Sequence, residues 1–339
     1  MAKGLIVASS ETFIEDYSIE RNALKGIAEL RTMKEDPKTP KELTDFAKDA
    51  DALLHNSGLR ITGKMMDAMP KLRIIVCASV GFDNVDVDAA TERGLPVANV
   101  PDYGSNEVAE HATALILALE RQLFPLDREL RQGTWGHATH KIFMLHSPST
   151  QTVGLVAFGR IARRVAKRVQ GCGFNVIAYD PYVPRWDFEL SNVERVDSLI
   201  ELMRRSDFVS VHVPHNKETT HLIGAKEIAA MKPTAYFVIT GRGKTMDQKA
   251  LYKALKSKKI AGAGLDVFED EPLPSDDPIY GLDNVILTPH VAGFTLESND
   301  RRRRDAALIV AETLKGKRSL FVLNPKAYER QTGKGRRKK

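Results

Sequence analysis

Residues 152–180, TVGLVAFGRIARRVAKRVQGCGFNVIAYD, constrain the fold of this chain more than any other stretch. Residues 153–156 form an apolar run of strand length. Gly159 follows, and Ile161, Val165, Ala166 and Val169 then recur at helical spacing with basic residues between them. Residues 174–179 read as a second strand, which ends on Asp180. Strand, tight turn, helix and strand make a nucleotide-binding βαβ unit. The free N–H groups at the helix start, together with the helix dipole, suit a pyrophosphate. An acidic residue about twenty positions on suits the ribose hydroxyls. The competing reading is an ordinary crossover in which Asp180 is a solvated strand end.

The frame G-x-G-x-x-G falls on Ala157, Gly159 and Ala162, so only the middle glycine is kept. That glycine lets backbone approach the pyrophosphate. Ala162 only sets the helix slightly farther from the strand. Ala157 is the awkward member, because a tight turn there asks for a conformation that a Cβ disfavours.

The rest of the chain repeats the α/β alternation. Before residue 152, strands are expected at 4–9, 50–56, 72–78 and 95–100. Helices are expected from Pro40 (capped by Thr39), over 62–69, up to Gly94, and over 105–121 with Ser105 as cap. After Asp180 the strands are FVSVHV, AYFVIT, AGAGLDVF and NVILTPH, with helices over 199–204, 225–231 and 247–258 and a last one from about Leu296. This order implies parallel sheets covered on both faces. Four consecutive arginines, 301–304, point around that last helix. They are expected to form a solvated face with one or two interdomain ion pairs.

A length of 339 residues suits two domains, and 42% hydrophobic residues suffice for their cores. The net charge of +6 is partly carried by a basic end, 331–339, expected to be a disordered tail. No aromatic interleaving supports nucleic-acid binding. The apolar stretch 112–119 is too short to span a bilayer, and no signal peptide is evident at the start. Cys77 and Cys172 are expected as buried thiols of a reducing, cytoplasmic protein. His137, His140 and His146 have loosely metal-like spacing but no Cys or carboxylate companion, so an exposed loop without metal is expected.

Three features stand at strand ends in the second half: Arg242 in TGRG, Asp266 and Glu271 in LDVFEDEP, and His290 in LTPH. Strand ends are where an open parallel sheet binds ligands. Arg, Glu and His there suit hydride transfer to a 2-oxo acid. Arg grips a carboxylate through two hydrogen bonds. His supplies the proton to the carbonyl oxygen, and a Glu beside it keeps the imidazole protonated and oriented. Taken singly, each has a bland structural reading.

With these residues in view, the chain resembles the D-isomer-specific 2-hydroxyacid dehydrogenase family. The motifs are SVGFDNVDVDAATERG, NVPDYGSNEVAEHA, VGLVAFGRIA, VPHNKETTHLI, MKPTAYFVITGRGKTMDQKAL and LDVFEDEPLP with NVILTPHVAG. NVPDYG and AYDPYVP lean toward its C-terminal-binding-protein-like branch, and the phosphoglycerate dehydrogenases share most of the rest. The resemblance implies two Rossmann-like, doubly wound domains: a substrate-binding unit over 1–103 completed by 297–330, with an NAD-binding unit over 104–296 inserted in it. It implies a site in the cleft, a homodimer joined through the cofactor domains, and a small 2-oxo or 2-hydroxy acid as substrate. Arg242 matches the substrate-orienting arginine, His290 the proton donor and Glu271 its paired acid. Val80 and Gly81 match the loop that grips the substrate carboxylate. Arg160 and Ile161 match pyrophosphate contacts, Asp180 the adenosine-ribose acid and Asp266 the nicotinamide carboxamide ligand. Thr240, Gly241 and Gly293 match residues lining the nicotinamide. The chain departs from the family at Ala157, at Ile239 (usually Asn), at Gly241 (usually Ala or Ser), at His215 (usually Leu) and in the lead-in HSPSTQT, which bears on cofactor affinity. The alternative is an NAD(H)-sensing binding protein of the corepressor type, with incidental turnover.

Overall fold

The structure is a computed structural model that describes residues 4–9, 16–56, 58–135 and 145–334. The chain divides into two compact units, with the boundaries between Gly104 and Ser105 and between Phe294 and Thr295.

The first unit begins β1 (Gly4–Ala8), α1 (Ser18–Ala23), β2 (Ala28–Thr32), α2 (Pro40–Ala47), β3 (Ala52–His55), α3 (Gly63–Asp67), β4 (Ile74–Cys77), α4 (Val87–Glu92) and β5 (Val97–Asn99). Its sheet is parallel, in the order β2-β1-β3-β4-β5. β3, β4 and β5 are buried at every residue, which is why they read as apolar runs. α1 and the edge strand β2 gave no such signal. In β2 (AELRT) only Leu30 is buried, as edge position allows. The start of α2 is as expected, with Thr39 accepting the Glu42 N–H at 3.3 Å and Pro40 at the first turn.

The second unit contains α5 (Ser105–Glu120), α6 (Leu123–Arg131), β6 (Thr152–Val156), α7 (Arg160–Gly171), β7 (Asn175–Tyr179), α8 (Arg185–Leu190), β8 (Glu194–Arg195), α9 (Leu199–Arg205), β9 (Phe208–Val211), α10 (Ala225–Ala230), β10 (Tyr236–Ile239), α11 (Gln248–Lys256), β11 (Gly262–Leu265) and β12 (Val285–Leu287). Its parallel sheet runs β12-β11-β10-β9-β6-β7-β8. α5 and α7 cover one face through Ala112, Leu115, Ile116, Val165 and Val169. α9, α10 and α11 cover the other through Leu202, Ile228, Leu251 and Leu255. Ser105 is the first helical residue of α5 and not its cap.

The first unit is completed by α12 (Leu296–Leu314) and α13 (Lys326–Lys334). α13 runs into the stretch expected to be a basic tail, and Ala327 at its start is fully buried. The arginine run corrects the sequence reading. Arg302 is 2% exposed and donates to the Ala78 carbonyl, and Arg303 pairs with Glu20 at 2.7 Å. Four successive residues sweep a full helical turn, so part of the run must face the core. Both contacts lie within one unit, where interdomain pairs were expected.

Candidate active site

In the second unit the chain leaves β6 for β7 on one side and later returns to β9 on the other. A ligand crevice opens at the carboxyl ends of strands at such a switch point. The turn of residues 157–159 lies directly after β6. Ala157 has φ 74°, in the left-handed region, and its N–H donates to the Tyr179 carbonyl at 2.9 Å. Gly159 is extended and caps α7 without a side chain. A Cβ there would meet no described atom within 4 Å, so the space above its backbone is open. The Phe158 N–H donates to Asp180 Oδ2 at 2.9 Å. Asp180 Oδ1 accepts from the N–H groups of Tyr182 (2.9 Å) and Val183 (3.2 Å), fixing the carboxylate beside the turn.

The left-handed strain at Ala157 belongs to the folded backbone, so relieving it is expected to act on the stability of the fold. Left-handed backbone costs an alanine about 1–2 kcal/mol, and the looser unfolded chain of a glycine returns about 0.4–1 kcal/mol. Ala157→Gly is therefore expected to stabilise the fold by up to about 1 kcal/mol, with NADH affinity nearly unchanged. A denaturant titration paired with NADH fluorescence checks both, and a lower midpoint would show that the turn does not need glycine.

The second cluster lies at the ends of β10, β11 and β12. Arg242 follows β10, and its Nη1 donates to the Gly241 carbonyl at 2.8 Å. At Gly243 a Cβ would sit 1.8 Å from the Phe268 carbonyl oxygen, so the Arg242 turn and the loop after β11 pack backbone to backbone. Asp266 is fully buried, and such a carboxylate must be satisfied by hydrogen bonds. Its Oδ1 accepts from Thr288 Oγ1 (2.6 Å) and the Val291 N–H (3.0 Å), and its Oδ2 from the Ala292 N–H (3.0 Å). Its carbonyl accepts the His290 N–H at 2.8 Å. The loop holding His290, itself at φ 54°, is thus clamped onto Asp266. Gly293 follows that clamp.

Glu271 and His290 meet across 19 residues, with His290 Nδ1 2.7 Å from Glu271 Oε2. Glu271 Oε1 accepts the Phe268 N–H at 2.9 Å. Burial pushes the Glu271 carboxyl up, but the hydrogen bond and charge of His290, the Phe268 N–H and the Arg242 charge outweigh it and hold the group below its ordinary value of 4.5. Arg242, Glu271 and His290 therefore form one electrostatic cluster.

Thr240 is 5% exposed, and its Oγ1 is buried with no hydrogen-bond partner among the described residues. Ile239 is fully buried among Val211 and Leu265, so the residue found in place of the usual Asn packs into the core. Val80 and Gly81 belong to the other unit. There Asn99 Nδ2 donates to the Val80 carbonyl (2.7 Å) and Ser79 Oγ to that of Gly81 (2.6 Å), which braces the turn.

Sequence reading missed the supports. His111 on α5 pairs with Thr288 Oγ1 at 3.0 Å, behind Asp266. His212 meets Ser210 Oγ at 2.9 Å while its Nδ1 is shut off from solvent, and burial pushes the imidazole down to about 4. The signal for Ser210, His212 and Thr288 was polar side chains interrupting apolar runs at strand ends, in FVSVHV and NVILTPH, whereas His111 sits on the helix α5 and gave none. One expectation is corrected: Cys172 is exposed at the end of α7, and only Cys77 is buried. His137 and His140 lie outside the described residues, and His146 is exposed.

Comparison with known proteins sets a family on this geometry. Residues 113–292 match the model of the D-isomer specific 2-hydroxyacid dehydrogenase NAD binding domain. The glyoxylate reductase of Korarchaeum cryptofilum is 44% identical over 281 residues, covering 83% of either chain. The chain belongs to the D-isomer-specific 2-hydroxyacid dehydrogenase family. The D-3-phosphoglycerate dehydrogenase of Methanocaldococcus jannaschii is likewise 44% identical over 82% of this chain, which spans about half (51%) of that protein. Among solved structures, the D-lactate dehydrogenase of Aquifex aeolicus, complexed with NAD and lactic acid, superposes with TM-score 0.82 at 33% identity, over 92% of this chain and 96% of that one. The two parallel α/β sheets are those of this family, and the corepressor-type alternative is not favoured by relatives named as enzymes.

NAD is the cofactor of this dehydrogenase, and the crevice fits it. The open backbone at Gly159, the α7 start without a side-chain cap, and the buried, unpartnered Thr240 Oγ1 suit a pyrophosphate at one end and a polar ring substituent at the other.

Proposed function

We propose that the protein reduces a small 2-oxo acid to its D-2-hydroxy acid at the expense of NADH, as a glyoxylate or hydroxypyruvate reductase or a dehydrogenase of the phosphoglycerate type. The observation that carries this is the Glu271–His290 contact of 2.7 Å beside Arg242. Arg242 takes the substrate carboxylate through its guanidinium fork. Glu271 occupies His290 Nδ1, which leaves Nε2–H to face the substrate carbonyl oxygen. NADH, when bound, supplies the hydride to the carbonyl carbon. The Nε2 proton passes to the oxygen as charge builds there, the product leaves as the hydroxy acid, and the half-exposed imidazole regains its proton from solvent. Gly159, Arg160 and Ile161 are assigned to the pyrophosphate, Thr240, Gly241, Asp266 and Gly293 to the nicotinamide, and Val80 and Gly81 to the substrate carboxylate. The first unit is accordingly assigned to substrate binding.

A scan of NADH oxidation against glyoxylate, hydroxypyruvate, pyruvate and longer 2-oxo acids tests the reading, and no turnover with any of them would end it. Asp180 accepts hydrogen bonds from a ribose diol and repels a 2′-phosphate, so kcat/KM is expected to favour NADH over NADPH. Equal or better values with NADPH would show that Asp180 has been misassigned.

The proposal includes a homodimer joined through the NAD-binding unit. α6 buries none of its nine residues, and Leu123, Phe124 and Leu130 are each more than half exposed. An apolar helix face of this kind fits a second copy, and light scattering at the monomer mass would refute it. A cytoplasmic location is supported by two free thiols, and no described helix is long and apolar enough to cross a membrane. Cell fractionation tests that.

A further inference from the structure

We propose that His221 and Glu269 are positioning residues for this reaction, fastening the loop that carries Glu271 and so holding the Glu271–His290 pair. The inference rests on the reading of His290 as proton donor.

Glu271 has one tether within its own loop, the Phe268 N–H. Between those two residues lies Glu269, which is tied down at three points. Its N–H donates to Gln248 Oε1 at 3.0 Å, its Oε2 accepts the Gln248 N–H at 3.2 Å, and its Oε1 pairs with His221 Nε2. Gln248 opens α11, where the helix dipole also favours a carboxylate. Gln248 Nε2 donates in turn to Asp277 Oδ2 at 3.1 Å, beyond the loop. His221 is anchored by its own N–H, which donates to the Lys244 carbonyl at 2.9 Å, two residues after Arg242. Gly243, between them, presses on the Phe268 carbonyl. A closed circuit results: the Arg242 turn, His221, Glu269, Glu271 and His290.

Stability alone does not account for this arrangement. The His221 side chain is 51% exposed and that of Glu269 23%, and exposed ion pairs contribute little. His221 also sits at φ 51°, a strained conformation that persists only where its surroundings dictate it. What the circuit provides is placement. The loop holds one His–Glu pair at its rim and another at its reacting end, and a loop freed by about 1 Å can cost a hundredfold in rate. Other charged or titratable groups on the elements meeting here include Arg242 and Lys244 on the turn after β10, His215, Lys217 and Glu218 on the segment that carries His221, Asp247 and Lys249 on either side of Gln248, Asp277 bonded to it, and Asp270 and Glu271 on the loop itself.

His221→Gly removes the imidazole and relieves the backbone, so a loss of activity cannot come from strain. It is expected to lower kcat about 10-fold to 100-fold, with NADH Kd within about twofold, the alkaline fall of the reduction rate moved to lower pH, and the melting temperature not reduced. His221→Asn, which tolerates left-handed backbone and keeps a donor, should recover part of the rate. Unchanged kcat and pH profile in His221→Gly would overturn the inference, as would a loss that merely follows a lowered melting temperature. His290→Ala, assayed alongside, separates the two claims. If it retains turnover, the reading of the site falls and the role of His221 with it. If it is inactive while His221→Gly is not slowed, the positioning role alone falls.

Discussion

Replacing His290 with Ala is expected to lower kcat for 2-oxo-acid reduction by roughly 10²–10⁴-fold, the span that a positioned general acid contributes. NADH affinity should change little, because the side chain is engaged with Glu271 and its ring is half exposed. The backbone complicates the simple variant. His290 lies at φ 54°, where an alanine is strained. The surrounding loop is nevertheless over-determined. Asp266 takes the N–H groups of Val291 and Ala292 with its carboxylate and that of His290 with its carbonyl, so the chain path should survive the substitution. His290→Asn removes the doubt, since Asn tolerates left-handed backbone but has no proton to give at neutral pH. Stopped-flow NADH oxidation with either variant measures the chemical step directly. Turnover within a few-fold of the parent in both would mean that the fold serves some other chemistry.

How much of this was legible in the sequence depends on which residues carried the signal. Strands buried on both faces announce themselves as apolar runs, so β3, β4 and β9 were readable from composition alone. β2 and α6 were not, because each has one side turned away from any core of its own unit. Arg242, Glu271 and His290 were readable as chemistry because charged and titratable residues at the ends of parallel strands are unusual unless used. The reason they can meet was not readable. Gly243 looks like an ordinary turn glycine, and only the backbone of Phe268 lying where its Cβ would be shows that the two loops need it. The Ala157 strain was legible, since a phosphate-binding turn has a known demand on φ. Its consequence was not: the left-handed φ is a property of the folded backbone, so the expected effect of a glycine falls on stability. The arginine run misled because charge was read as exposure, whereas Arg302 is buried against the Ala78 carbonyl.

Glu271→Gln should separate the pair from the proton donor itself. Reduction requires His290 protonated at the start of the step, so its rate holds at low pH and falls as pH rises. Oxidation requires the neutral ring as base and shows the opposite limb. A carboxylate within hydrogen-bond reach favours the imidazolium. Glu271 is held below its ordinary 4.5, so it is anionic across the range in which imidazoles titrate. Glutamine preserves the volume and can still accept the Phe268 N–H, but it removes the charge and can turn an amide donor toward His290 Nδ1. Both limbs are therefore expected to move to lower pH. On the alkaline side of its limb, reduction then falls, since less of the general acid is in its proton-donating form. Oxidation at the same pH should be affected far less, and NADH affinity should stay close to the parent. Profiles of kcat/KM against pH in both directions decide the matter. A reductive limb that stays where it was would show that Glu271 does not govern the proton on His290, whatever the distance between them.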